Sequence, residues 1–93
     1  MIYELAFLDA ALKEWKKLDS NIRGQFKKKL AERLQNPRVP TAQLHGGKDR
    51  YKMKWKAAGY RLVYEVRDGQ LLVLVIAVGR RDRNSVYEAA KKR

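Results

Sequence analysis

Five side chains in this sequence have the types and spacing to handle a phosphodiester: Lys52, Lys54, Arg61, Arg81 and Tyr87. RNA carries its own nucleophile, the 2′-hydroxyl beside each phosphate. Cleavage therefore needs removal of that proton, stabilisation of the extra charge on the phosphorane, and protonation of the departing 5′ oxygen. Guanidinium groups suit the second task through bidentate phosphate contacts. Crowded ammonium groups disfavour one another's charge, which lowers a lysine's pKa towards that of a useful base. An aromatic ring can stack on or orient an unpaired base. The same cations have an ordinary reading. Exposed strand faces are often rich in Lys and Arg for solubility and edge protection. On residue types alone, a solvated or general RNA-binding face is the stronger of the two readings.

The elements that must position these residues can be read along the chain. Ile2, Tyr3, Leu5 and Phe7 form a short N-terminal strand. Asp9 is placed to cap a helix carrying Leu8, Ala11, Leu12, Trp15 and Leu18 at helical spacing. Asp19-Ser20-Asn21 interrupts it and offers a cap for a second helix, with Ile22, Phe26, Leu30 and Leu34 recurring every four residues beside Lys27, Lys28 and Lys29. Asn36-Pro37 ends that helix, since proline lacks the amide donor and restricts the residue before it. The tight connection predicts an antiparallel helical hairpin covering one sheet face.

A loop from Arg38 to Arg50 leads to three strands. Tyr51, Met53 and Trp55 alternate with Lys52, Lys54 and Lys56, giving one apolar and one cationic face. Tyr60 to Val66 alternates again, and Leu71 to Val78 is apolar throughout, as suits a central strand covered on both faces. Asp68-Gly69 signals a two-residue type I′ hairpin. Gly79 is expected to break the last strand, and Arg80 to Arg83 to form a basic exit loop. Ser85-Val86-Tyr87-Glu88 fits a capping box for a short C-terminal helix. The order β-α-α-β-β-β-α predicts one α+β domain over residues 1–93: a strand, a helical hairpin, an antiparallel three-stranded meander and a final helix.

Strand parity turns the cations into a constellation. If the Ala57-Ala58 turn has two residues, Lys56 pairs with Gly59, Lys54 lies opposite Arg61, and Lys52 opposite Val63. Lys52, Lys54 and Arg61 then share one face, and a one-residue change in the turn would break the alignment. Arg81 leaves the end of the neighbouring strand, and Tyr87 follows in the first turn of the last helix.

Charge says what such a face would meet. Twenty-two Lys and Arg against ten Asp and Glu give a net charge of +12, a field that attracts polyanions and speeds their capture. That favours nucleic acid or the ribosome over an acidic membrane surface, and makes an acidic masking partner a reasonable expectation. With no cysteine there is no disulfide framework and no thiolate metal site. One histidine and scattered carboxylates predict no metal and no cofactor. The apolar run from Leu71 to Val78 is too short to span a bilayer, so the expected location is the cytoplasm.

Several stretches, in order, resemble the RelE toxins, ribosome-dependent mRNA interferases of toxin–antitoxin pairs. They are Ala11-Leu12-Lys13-Glu14-Trp15, Lys27-Lys28-Lys29-Leu30, Tyr51-Lys52-Met53-Lys54, Gly59-Tyr60-Arg61-Leu62-Val63-Tyr64, Val78-Gly79-Arg80-Arg81 and Val86-Tyr87. The resemblance implies a RelE-like, microbial-RNase-like fold. It implies metal-independent cleavage of mRNA in the ribosomal A site, leaving a 2′,3′-cyclic phosphate and a 5′-hydroxyl. Lys54 is then the first choice for the 2′-hydroxyl proton, with Lys52 in support. Arg61 clamps the phosphate, Arg81 sits near the leaving oxygen, and Tyr87 stacks on or orients the base. His45, Lys48, Lys56, Arg80, Arg83, Lys27 and Lys28 are expected to contact mRNA or the 16S rRNA of the 70S ribosome. The implied partners also include a RelB-like antitoxin, which reaches operator DNA together with the toxin and represses their operon.

Alternatives stay open at this point. Glu65 falls on the Arg61 face and would be a better-matched base than lysine, although a salt bridge to a neighbouring cation is the plainer role. His45, the single histidine, is read as a loop or rRNA contact rather than a catalytic base. Trp15, Trp55 and the apolar tyrosines are read as core. The rival functions are a ParE-type toxin directed at gyrase and a non-catalytic RNA- or ribosome-binding module.

Overall fold

The computed structural model describes residues 2–44, 46, 49–55, 59–80 and 85–93. Strand β1 (Glu4–Phe7) leads into helices α1 (Asp9–Lys16) and α2 (Ser20–Gln35). Strands β2 (Arg50–Trp55), β3 (Tyr60–Arg67) and β4 (Leu72–Arg80) follow, and helix α3 (Ser85–Lys91) closes the chain. The sheet order is β1-β4-β3-β2. The meander is antiparallel as expected, while β1 lies parallel to β4, Glu4 beside Leu72 through Phe7 beside Val75.

Each sheet face has its own core. On one, Leu62, Tyr64, Val73, Val75 and Val78 meet Ala11, Leu18, Phe26 and Leu30 of the helical hairpin. Leu18, Phe26 and Leu30 come from the predicted apolar stripes, and Trp15 and Trp55 pack at the margin of this core. Tyr51 and Tyr64 stack at 5.6 Å within it, so these aromatic rings serve packing. The Tyr64 hydroxyl donates to the Pro37 carbonyl at 2.6 Å and accepts from Arg33 Nη1, fastening the end of α2 to the sheet. On the other face Val63, Leu74, Ile76 and Ala77 meet Val86 and Ala90 of α3. Strand alternation allows this double coverage, and a β-bulge interrupts it once. Val63 pairs with Ala77 but Tyr64 with Val75, so Ile76 is the extra residue. Ile76 and Ala77 therefore both pack toward α3, although they are neighbours in the chain.

Four local expectations are corrected. Helix α1 is capped at Leu8, not Asp9, and Asp9 instead brings its negative charge into the first turn. The β3–β4 connection is a 3₁₀ turn over Asp68–Gln70, with Leu71 in the left-handed region at φ 49°, rather than a two-residue type I′ turn. The Asp68 carboxylate is held by the Tyr3 hydroxyl at 2.6 Å and by Arg38, and Arg38 also binds Asp49. Those tertiary bonds favour the longer turn. Strand β4 runs through Gly79 to Arg80, because Gly79 keeps its place in the ladder opposite Arg61. Finally, Ser85 is the first residue of α3 rather than its cap, and its hydroxyl donates to the Arg80 carbonyl.

Candidate functional site

The β2–β3 register places Lys54 opposite Arg61 and Lys52 opposite Val63. The expected sharing of one face by Lys52, Lys54 and Arg61 follows from that register. Lys54 is exposed, Lys52 half-buried, and Arg61 only 6% exposed. On its other side Arg61 faces Gly79, over which Val86 packs; a Cβ there would meet Val86 Cγ2 at an ordinary contact distance of 3.5 Å. Helix α3 thus seals the flank of Arg61. Its next residue, Tyr87, is half-buried against the same cluster.

Arg61 Nη1 donates to the Tyr60 carbonyl at 2.9 Å, and no carboxylate pairs with it among the described residues. A buried cation without a counter-ion is costly unless an anion arrives to match it. Beside it, the Lys54 backbone is held from outside the sheet: Lys29 Nζ donates to the Lys54 carbonyl at 2.7 Å and lies 5.4 Å from the Trp55 ring centroid. The sequence showed Lys29 only as one of three consecutive lysines. Its neighbours Lys27 and Lys28 are exposed, consistent with a cationic surface beside the end of β2.

Glu65 is the salt-bridged residue of the plainer reading. Its Oε1 binds Arg50 Nε at 3.0 Å and its Oε2 binds Arg67 Nε at 2.7 Å. Burial alone would push its carboxyl up, but the bonds from Arg67 and Arg50 outweigh this and hold it below the usual carboxylate range. Both oxygens are engaged, so Glu65 is poorly suited to accept a substrate proton. Arg80 pairs across the ladder with Tyr60, its guanidinium 5.8 Å from that ring. That puts Arg80 on the helical-hairpin face, opposite to Arg61. Arg81, His45, Lys48, Lys56 and Arg83 lie outside the described residues. No group of three or more His, Cys, Asp or Glu is arranged to hold a metal ion among the described residues, and none of their helices is long and apolar enough to cross a membrane.

Sequence reasoning left Arg50 at the end of a loop. It is instead the first residue of β2, 7% exposed, bonded to Glu65 and, through Nη1, to the Ala90 carbonyl of α3. Arg93, beyond the helix, donates to Glu14 on α1 and to the Ile76 carbonyl at the bulge. Glu14 also accepts from the Val78 backbone amide.

Comparison with known proteins bears on this arrangement. A family model described as the ParE toxin of type II toxin-antitoxin system, parDE, matches residues 5–85. The mRNA interferase toxin RelE of Escherichia coli strain K12 is 52% identical over 93 residues, covering 100% of this chain and 98% of the relative. The structure of an arginine-to-alanine variant of E. coli toxin RelE in the free state superimposes with a TM-score of 0.91 at 49% identity, over 99% of this chain and 97% of that one. The toxin of the intact E. coli RelBE toxin-antitoxin complex gives 0.83 at 51% identity, over 87% and 99%.

Proposed function

The chain belongs to the RelE/ParE toxin family of type II toxin–antitoxin systems, and from that premise we propose that it cleaves mRNA held on the ribosome. The observation that carries the reading is Arg61: a buried guanidinium with no carboxylate partner among the described residues, on one strand face with Lys52 and Lys54. This is a site built to receive a phosphate.

In the proposed reaction Lys54 takes the 2′-hydroxyl proton, with Lys52 supporting it. The oxygen attacks the adjacent phosphorus while Arg61 stabilises the developing charge. The P–O5′ bond breaks, Arg81 stabilises the charge on the leaving oxygen, that oxygen takes a proton from solvent, and the ends are a 2′,3′-cyclic phosphate and a 5′-hydroxyl. No step requires a metal. Tyr87 orients the base on the flank that α3 provides. Lysine and arginine are poorly matched to neutral acid–base work, so the rate depends on a ribosome that fixes the mRNA in line for attack. Lys27, Lys28, His45, Lys48, Lys56, Arg80 and Arg83 supply the surrounding RNA contacts. A RelB-like antitoxin, the partner of the relative in the RelBE complex, neutralises the toxin and represses the operon with it in the cytoplasm.

The family model's own description favours a second reading, a ParE-type toxin acting without nuclease chemistry. Primer extension on programmed ribosomes separates the two. Codon-phased cuts in the A site, absent on naked mRNA, are expected. Uncut mRNA on protein-bound ribosomes, or equal cleavage of naked and ribosome-bound mRNA, refutes the proposal; inhibition of gyrase supercoiling without cleavage supports the second reading.

A further inference from the structure

We infer that Arg50 is a positioning residue for Tyr87: it fastens the C-terminal end of α3 to the strand that carries Lys52 and Lys54. The inference rests on the cleavage reading above and adds to it a device for holding the base-orienting side chain.

Helix α3 has seven residues, of which Val86 and Ala90 are the fully buried ones. Isolated helices shorter than about 12–15 residues are marginal in water, so α3 exists here through its docking. Valine and alanine offer little apolar surface for that purpose. The last carbonyls of a helix also lack intrahelical partners. Ala90 presents one of them at the sheet, where it accepts from Arg50 Nη1 as well as from the Arg93 amide just past the helix. Arginine near a helix C-terminus is favoured both as a donor and by the helix dipole.

The other side of Arg50 is equally committed. Its Nε binds Glu65, its cross-strand partner, and Glu65 is in turn fixed by Arg67. The guanidinium is therefore aimed by β3 at α3, with its charge matched and its residue buried. Arg93 continues the same seam past the helix, tying the chain end to Glu14 and the Ile76 carbonyl. Tyr87 lies three residues before Ala90, roughly one helical turn away at about 1.5 Å per residue. Loosening the Ala90 end leaves the Tyr87 turn held by the packing of Val86 and Tyr87 and by the Ser85 bond to the Arg80 carbonyl. Arg50 also shares its strand face with Lys52 and Lys54, so one side chain links the lysine half of the site to the tyrosine half.

The test uses the full chain with Arg50→Met and the milder Glu65→Gln, so a folding failure of one leaves the other informative. Hydrogen exchange is expected to speed up on the order of tenfold for the amides of α3, the scale of one lost charged hydrogen bond, while β3 and β4 keep their protection. Single-turnover cleavage of ribosome-bound mRNA should slow by a similar factor, with the half-saturating ribosome concentration unchanged. Arg50→Met added to Tyr87→Ala should cause no further slowing. Arg50→Lys, which cannot reach Glu65 and Ala90 together, should rescue only partly. Unchanged α3 exchange, or loss of protection spread evenly over the sheet, overturns the inference. A Tyr87→Ala variant that cleaves normally refutes instead the role given to Tyr87 in cleavage, and the exchange result then judges the fastening on its own.

Discussion

Replacing Arg61 by methionine should separate activity from stability. The Arg61 side chain lies within β3, almost fully buried, and its described partner is the Tyr60 carbonyl. A hydrogen bond from a charged donor contributes about 1.5–3 kcal/mol net. Against this stands the desolvation of an unmatched cation, several kcal/mol per ion in real proteins. The two nearly cancel, and methionine keeps most of the apolar stem. The expected change in stability is within about 1 kcal/mol of zero, or no more than about 4–8 °C in Tm for a domain of this size. Cleavage should behave differently. Removing a preorganised donor aimed at transition-state charge costs about 2.7–4 kcal/mol, a factor of about 10²–10³ in rate. Calorimetry and single-turnover primer extension on the same preparation would measure both. A stability loss of about 3 kcal/mol with near-normal cleavage per folded molecule would show that Arg61 is a packing residue and would sink the phosphate-clamp assignment.

Ion pairs, a left-handed turn residue and the hairpin core can be perturbed separately. The Glu65 and Asp68 carboxyls are both held low, Asp68 by its bonds from Tyr3 and Arg38. A depressed carboxyl stabilises fully above its unfolded value, near 4, and loses that contribution as pH falls through its lower folded value. Thermal melts should therefore weaken from about pH 5 downward, and Glu65→Gln should flatten that slope. Leu71→Gly should raise stability by up to about 1 kcal/mol, since a left-handed leucine carries roughly 1–2 kcal/mol of strain and glycine returns part of it as entropy. Phe26→Ala, at a fully buried hairpin position, should cost about 3–5 kcal/mol in denaturant melts, the largest loss proposed here.

The cationic face was legible because β2 alternates cleanly, and the pairing of Lys54 with Arg61 needed only parity and a short turn. The helical hairpin was legible for a similar reason, through the four-residue recurrence ending at Asn36-Pro37. What escaped depends on contacts between distant elements. The Asp68-Gly69 signal is local, whereas Tyr3 and Arg38, far away in sequence, hold the Asp68 carboxylate in a different turn. Gly79 looks like a breaker until Arg61 is seen beside it in the ladder. Arg50 reads as the end of a loop because nothing near it in sequence predicts a helix carbonyl forty residues later. The parallel pairing of β1 with β4 escaped likewise, since four residues carry no mark of their partner.

The extra residue at Ile76 has a consequence for how this chain tolerates change. A strand without it would carry a single phase from Leu72 to Arg80, and any slip at one end would rotate every side chain at the other. The bulge instead works as an expansion joint between two independently phased segments. Below it, β4 is clamped by β1 and β3 together; above it, the segment from Ala77 to Arg80 answers to Arg61 and Val63. Sequence drift at the β3–β4 turn, where the backbone is already irregular, can then be absorbed before it reaches the Arg61 end of the sheet.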